Sequence, residues 1–252
     1  MVTDEAQWAL LGEAIVAIVP RRHRRLMPLP PGLRRMPGPA VVLAERFVDS
    51  PVGPYCSLAV GEPVRLGLRP GYYFGTSVVN VPDARRAGRQ YWGFPSELGT
   101  LHWSIDDTER RMVWEERGFE VRTEVRDRAL PVLLPLRTVQ RRTDGPVVVP
   151  SRLRAMVRRA RVDVGLSDAD PFGVLSGSHR GFYLSGMLLR RRGARRALGW
   201  FSTFRAPFRA PEPGIIGMAR ASQPRPWSML AAAPGASSDG ACARSSGNPV
   251  LH

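Results

Sequence analysis

Short apolar runs separated by turn-forming residues recur along most of the chain, and each run has the length of a β-strand. The alternation is clearest where Phe119, Val121 and Thr123 share one face while Glu120 and Arg122 share the other. The predicted strands cover residues 14–19, 40–48, 57–66, 72–81, 98–105, 111–116, 119–125, 130–140, 146–149, 161–166 and 181–189. The chain is therefore predicted to be mainly β, with some α+β character.

Helical patterns are few and short. A helix is predicted over residues 82–90, because proline suits the first position of a helix. A second helix is predicted from Ser151, since Leu153, Met156 and Ala160 follow it at helical spacing. Many short strands with few helices typically close into a barrel or a sandwich, which hides the strand edges.

The C-terminal part of the chain sets the predicted domain boundary. Residues 204–211 read FRAPFRAP, and proline at every fourth position favours an extended strap over a central strand or a helix. After about residue 214, Ala, Ser, Gly and Pro dominate, which is typical of disorder. We therefore expect one β domain over residues 1–213 and a disordered tail over residues 214–252.

The charge is strongly positive. The net charge is +15, and all 37 basic residues are arginine, so the chain contains no lysine. Arginine concentrates at residues 152–161 and 190–196, which makes binding to nucleic acid or to an anionic membrane an alternative function. Aromatic residues do not interleave with these runs as base-stacking platforms would, and a GC-rich coding sequence also explains the arginine content.

Metal and disulfide chemistry have little support in the sequence. The two cysteines, Cys56 and Cys242, lie far apart and form no disulfide framework, which is consistent with a reducing cytoplasm. The histidines show no metal-ligand spacing; they are His23, His102, His179 and His252. No metal and no cofactor are predicted.

A series of short motifs lies between residues 41 and 103. In chain order they are Gly53-Pro54-Tyr55, Asn80-Val81-Pro82-Asp83, Gly88-Arg89, Trp92-Gly93-Phe94-Pro95 and Leu98-Gly99. In this order and spacing the motifs resemble the acetoacetate decarboxylase superfamily. The resemblance continues as strand pattern to about residue 211. It implies an acetoacetate-decarboxylase-like antiparallel β-barrel or cone, and a pocket for a small keto or carboxylate compound.

In that family two lysines follow the Phe-Pro turn. The first forms an imine with the substrate ketone, and the second lowers the pKa of the first; acetoacetate decarboxylase is itself a standard example of this activation. In this chain the two positions hold Ser96 and Glu97, and the family's glutamate two residues after the tyrosine is replaced by Ser57. Because a hydroxyl cannot form an imine, the resemblance implies a pseudoenzyme for decarboxylation.

The candidate site therefore follows the family's positions. The catalytic positions are Ser96 and Glu97, and the residues that match the family's substrate-binding segments are Tyr55, Ser57, Arg89, Trp92 and Phe94. Adjacent residues on an extended chain point apart, so Ser96 and Glu97 are not expected to act as a nucleophile and its base.

The sequence leaves open whether the protein is an enzyme. One alternative is acid–base chemistry on a carbonyl compound, such as aldol-type condensation, dehydration or enolisation, through a Glu97 buried in the barrel. The other role weighed for Glu97 is an ion pair with Arg89. A homo-oligomer is a further expectation from the family resemblance.

Overall fold

The computed structural model describes residues 7–20, 26–126, 128–166 and 170–196. Strands dominate this part of the chain, as the alternation predicts. They are β1 (Trp8–Val19), β2 (Leu33–Arg35), β3 (Ala40–Asp49), β4 (Tyr55–Leu66), β5 (Arg69–Val79), β6 (Ser96–Leu98), β7 (Leu101–Asp106), β8 (Glu109–Trp114), β9 (Phe119–Glu124), β10 (Leu130–Arg142), β11 (Gly145–Gly165), β12 (Gly177–Arg191) and β13 (Arg195–Arg196).

The helical content is small. A single α-helical segment, α1 (Pro82–Ala87), begins with its proline as predicted and continues into a π-helical turn at Gly88–Trp92. Two 3₁₀ turns complete the helical elements of the described residues, at Glu115–Arg117 and Gly173–Leu175. The mainly β fold class is therefore confirmed.

All 13 strands belong to one sheet, and seven of them form a closed circuit of pairings. The order is β10–β5–β4–β3–β1–β12–β11, and β11 pairs with β10 again to close the ring. Most pairs are antiparallel, but β5 pairs in parallel with β10 and with β6, so the sheet is mixed. The remaining antiparallel strands β9, β8 and β7 continue from β11 as a meander.

Strands β1, β3 and β4 bury both of their faces over residues 12–19, 40–47 and 55–64. Side chains on one face enter a first core inside the ring, which contains Phe47, Tyr55 and Trp92. Side chains on the other face enter a second core shared with the β7–β9 meander, and Val42 and Leu58 belong to it. The central strands thus sit between two apolar layers, which is why their sequences are almost continuously apolar.

The helix predicted from Ser151 is wrong, since residues 145–165 form the single strand β11. Leu153 and Ala155 are buried while Arg152 and Arg154 are exposed, which is strand alternation. The helix-like spacing arises because Met156 is apolar although its side chain is substantially exposed, so it does not share a buried face with Leu153. Hydrogen bonding to β10 on one side and β12 on the other decides the conformation.

Some sequence-based predictions fall outside the described residues. The strap at residues 204–211, the tail at 214–252 and the domain boundary between them are among these, and they stay predictions. Within the described part of the chain, no helix has both the length and the apolar character needed to cross a membrane.

Replacing Leu58 with alanine tests the second core. Leu58 is almost fully buried, so Leu58→Ala is expected to lower the free energy of unfolding by about 2–5 kcal/mol. Leu68, which is exposed in the turn between β4 and β5, is the matched control, and Leu68→Ala is expected to change stability by no more than about 0.5 kcal/mol. Urea denaturation measures both, and equal effects would show that the second core contributes little.

Candidate functional site

A cavity of about 110 Å³ lies in the first core, inside the ring of strands. Strands β3, β4, β5, β6, β10, β11 and β12 contribute to its walls, together with α1 and the turn that follows it. Its polar lining includes Glu45, Tyr55, Ser57, Ser96 and Arg191. Aromatic rings form much of the remainder, so a few polar groups converge in a largely apolar space, as in most small-molecule sites.

The Trp-Gly-Phe-Pro turn forms one wall of this cavity. Gly93 has φ +72°, a left-handed conformation that disfavours other residues. A Cβ at Gly93 would also lie 2.7 Å from the carbonyl oxygen of Arg141, so the turn packs directly on β10. Trp92 and Phe94 then flank Gly93 with both side chains in the first core.

These two aromatic rings hold Arg191, the last residue of β12. The guanidinium carbon of Arg191 lies 4.9 Å from the ring centroid of Trp92 and 5.0 Å from that of Phe94. Both are cation–π distances. The indole N–H of Trp92 donates a hydrogen bond to the carbonyl oxygen of Arg192, which ties the turn to the end of β12. The aromatic turn therefore positions a cation at the cavity.

Ser96 occupies the strand that leaves this turn. It is 2% exposed, and its Oγ lies 3.3 Å from the Oγ of Ser77. A Cβ at Gly88 would approach Ser96 Oγ to 2.5 Å, so the glycine leaves the space that the serine fills. Nε of Arg89 donates to the carbonyl oxygen of Ser96 at 2.6 Å, which holds the backbone of β6 in place.

Glu97 and Arg89 do not line the cavity, which corrects two sequence-based expectations. The Glu97 side chain is exposed because it alternates with the buried Ser96 along β6. The expected burial of Glu97 is therefore wrong, whereas the expectation that Ser96 and Glu97 point apart is confirmed. Arg89 is also exposed, and its guanidinium contacts the backbone of Ser96 rather than Glu97.

A buried carboxyl group enters the cavity from β3 instead. Glu45 is 8% exposed and lies directly across from Ser57 in the antiparallel pairing of β3 and β4. Burial raises the pKa of Glu45, and the positive charge of Arg191 and a hydrogen bond from Ser57 only partly oppose this shift. Glu45 and Arg191 form no direct ion pair in the described structure, so Arg191 acts on the carboxyl group through space.

Tyr55 is the second buried titratable group of the lining. Burial raises the pKa of its hydroxyl group, and the neighbouring carboxyl of Glu45 raises it further against the opposing charge of Arg191. The tyrosine therefore stays a neutral hydrogen-bonding group. Together the lining offers one cation, one carboxyl group with a raised pKa and several hydroxyl groups.

The structure thus brings together five of the seven residues predicted from the sequence. The five at the cavity are Tyr55, Ser57, Trp92, Phe94 and Ser96. Glu45 and Arg191 were missed. The signal for Glu45 was a carboxylate on the same strand face as Leu43 and Phe47, and the signal for Arg191 was the alternation that turns one arginine of residues 190–192 inward.

The described residues contain no candidate metal site, because no three of their His, Cys, Asp or Glu side chains cluster in a metal-binding arrangement. His102 lies on the exposed surface, 2.8 Å from a carboxylate oxygen of Glu115. His179 contacts the carbonyl oxygen of Leu175. His23 lies outside the described residues.

No protein-family model matches the chain, and no curated protein matches it significantly. Solved structures do match. Acetoacetate decarboxylase from Legionella pneumophila is 14% identical, with 76% of this chain and 88% of that one covered at a TM-score of 0.54. The enduracididine biosynthesis enzyme MppR complexed with pyruvate is 18% identical, with coverages of 77% and 91% and a TM-score of 0.54.

A further MppR structure holds the condensation product of pyruvate and imidazole 4-carboxaldehyde. It is 15% identical to this chain, with 77% of this chain and 90% of that one covered at a TM-score of 0.52. At such identities these matches establish the fold. The resemblance drawn from the motifs is therefore confirmed in the architecture.

Replacing Glu45 with glutamine tests the environment of the buried carboxyl group. Because its pKa is raised in the folded state, protonated Glu45 favours folding at low pH, and this contribution is lost as pH rises through the folded-state pKa. Glu45→Gln, which stays neutral, should therefore gain stability relative to the original protein as pH rises above the ordinary glutamate range. Urea denaturation of both proteins across that range measures the difference, and a difference independent of pH would contradict the buried environment.

Proposed function

We propose that this chain, which has the fold of acetoacetate decarboxylase, binds a small carboxylate or keto compound beside Arg191 and does not act through an imine. The observation that supports this most directly is the convergence of Arg191, Glu45 and Ser96 on one cavity. A guanidinium held between two aromatic rings is a preorganised donor for a carboxylate or carbonyl oxygen.

The size of the cavity favours a compound of few atoms. Its volume of about 110 Å³ is below that of typical drug-sized pockets, which measure about 300–1,000 Å³. An engineered protein cavity of about 150 Å³ binds benzene. A ligand on the scale of a three- or four-carbon acid fits this range, and the complex of MppR with pyruvate supports a compound of this size.

The absence of imine chemistry follows from the residue at the Phe-Pro turn. Ser96 is buried where the resemblance expects the reactive lysine, and its hydroxyl group cannot form an imine. No other lysine can replace it, because the 252-residue chain contains none. The cation of the cavity is an arginine, which stays protonated and does not act as an amine nucleophile.

A second candidate function is acid–base chemistry on the bound carbonyl compound, with Glu45 in the role first assigned to Glu97. The raised pKa of Glu45 favours it, because a carboxyl group with a pKa closer to neutrality serves better as both acid and base. In enolisation, the ionised Glu45 would take a proton from the carbon beside the carbonyl. The electron pair of that C–H bond would form the enolate, whose oxygen would be stabilised by Arg191.

The binding proposal predicts that Arg191→Gln weakens the affinity for pyruvate or acetoacetate by about 10–100-fold, since a charged hydrogen-bond donor is lost. Arg190 provides the matched control: it is adjacent in sequence but exposed on the outer face, so Arg190→Gln should leave the affinity unchanged. Isothermal titration calorimetry measures both.

Three outcomes would contradict the proposal. They are no saturable binding of either acid, equal effects of the two arginine variants, and a borohydride-reduced adduct of acetoacetate mapped within the body of the chain.

The acid–base candidate predicts exchange of the pyruvate methyl protons with deuterium when the protein is in heavy water. Glu45→Gln should abolish this exchange while pyruvate still binds, because glutamine retains the shape of the side chain but cannot accept the proton. Glu97→Gln is the matched control and should exchange at the original rate, since Glu97 is exposed away from the cavity. Proton NMR follows the loss of the methyl signal. Exchange that survives in Glu45→Gln would remove Glu45 from the reaction.

A further inference from the structure

Among the described residues, the first half of β10 has a strand partner on one side only, and its free edge is apolar. β10 pairs with β11 along its full length, but with β5 at the single pair Thr138 and Tyr72. Four leucines before that pair are substantially exposed; they are Leu130, Leu133, Leu134 and Leu136, referred to below as the leucine edge. Leu130 is 66% exposed and Leu133 is 72% exposed. A cluster of exposed leucines of this kind marks an interaction surface.

The exposed leucines occupy both faces of the strand. Leu134 and Leu136 lie on the face that continues to Thr138 and the cavity, whereas Leu133 lies on the outer face with Pro135. The edge therefore presents apolar surface in two opposite directions. A partner that packed against one face would leave the other in water.

Three arginines border the outer face of the leucine edge. In the sheet register, Arg154 lies opposite Leu133, Arg152 lies opposite Pro135, and Arg190 lies opposite Arg152 on the next strand. They line one open groove together with Leu133, Leu134, Pro135 and Leu188, and none of the described residues that line this groove is acidic. Within the described part of the chain, none of the three forms an ion pair, in contrast to Arg111 and Arg117. We call Arg152, Arg154 and Arg190 the arginine face.

The charge of the arginine face argues against a symmetric contact between two copies of this chain and against residues 197–252 as the occupant. A second copy docking through the same surface would bring two sets of arginines together without compensating carboxylates. Residues 197–252 contain five arginines against Glu212 and Asp239, so that segment is also positive. The complementary partner is therefore anionic, and it must also accept exposed leucine side chains.

We propose that the leucine edge and the arginine face dock the protein on a membrane surface that contains anionic phospholipid. Lipid can surround both faces of a strand, which suits leucines that point in opposite directions. Arginine guanidinium groups pair with lipid phosphates while leucine side chains enter the boundary between headgroups and acyl chains. Among the residues placed by the structure, none that lines the groove is an aromatic residue on which a nucleic-acid base would stack.

The depth of docking is limited by the backbone of the edge. Peptide groups without a strand partner are costly to bury in hydrocarbon, so β10 would remain at the level of the headgroups. Pro131 and Pro135 lower that cost because they carry no N–H group. Leu136 belongs both to the leucine edge and to the lining of the cavity, so docking would bring the cavity close to the lipid surface.

The test is flotation of the full-length protein with vesicles of phosphatidylcholine that contain about 30 mol% phosphatidylserine. The protein should float with these vesicles at low salt, and much less protein should float with vesicles of pure phosphatidylcholine. The triple variant Arg152→Gln, Arg154→Gln, Arg190→Gln should lower partitioning by about 100-fold, since each basic residue near an anionic surface contributes roughly fivefold. Leu130→Ser with Leu133→Ser should lower it by roughly tenfold even where salt screens the charges.

The matched control is the triple variant Arg34→Gln, Arg65→Gln, Arg69→Gln, which removes the same charge from β2, β4 and β5. It should partition like the original protein, and melting temperatures should confirm that all variants are folded. Equal loss in both triple variants would show unspecific attraction and overturn the proposal. So would the absence of any preference for phosphatidylserine, or binding of duplex DNA or a polyglutamate peptide through the same three arginines without vesicle binding.

Discussion

The structure depends on one constraint: β1, β3 and β4 are buried on both faces over most of their length. Most side chains on these strands pack in one of two cores, and a one-residue slip would exchange the two sets. The constraint explains the composition of the cavity. The strand faces that point into the first core also carry the polar side chains that line the cavity. The register that places Val42 and Ala44 in the second core directs the side chain of Glu45 into the first core, where it is buried. Its raised pKa is thus a consequence of sheet register.

The cavity keeps a carboxyl group although the position that resembles the family's glutamate is a serine. Ser57 and Glu45 are paired across neighbouring strands, so their side chains reach the same space from different parts of the sequence. The cation is supplied in a similar way, from the end of β12 through Arg191 rather than from the Phe-Pro turn. The Trp-Gly-Phe-Pro turn has a structural role, since its two aromatic rings set the position of the Arg191 guanidinium. The charged groups of this cavity therefore come from β3 and β12.

Much of the fold was predictable from the sequence, because alternation along single strands is a local signal. The motif around Gly93 and Phe94 also located the wall of the cavity. Local patterns did not show which strands pair. The sequence of β11 resembled a helix because Met156 is apolar but exposed, and only its pairing with β10 and β12 identifies it as a strand. Glu45 and Arg191 were missed for the same reason, since 146 positions of sequence separate residues that meet only after the ring has closed. The sequence also did not show which of Ser96 and Glu97 faces the cavity, because that depends on how β6 pairs with β5.

The prolines of β10 have a consequence for the solubility of the unfolded or partly folded chain. Residues 130–136 read LPVLLPL, a segment apolar and uncharged enough to stack into cross-β aggregates. Such stacking needs a continuous ladder of backbone donors from molecule to molecule. Pro131 and Pro135 interrupt that ladder at two points, so identical edges cannot propagate it. The same strand can thus stay apolar in the native protein and still be protected from fibril growth during synthesis.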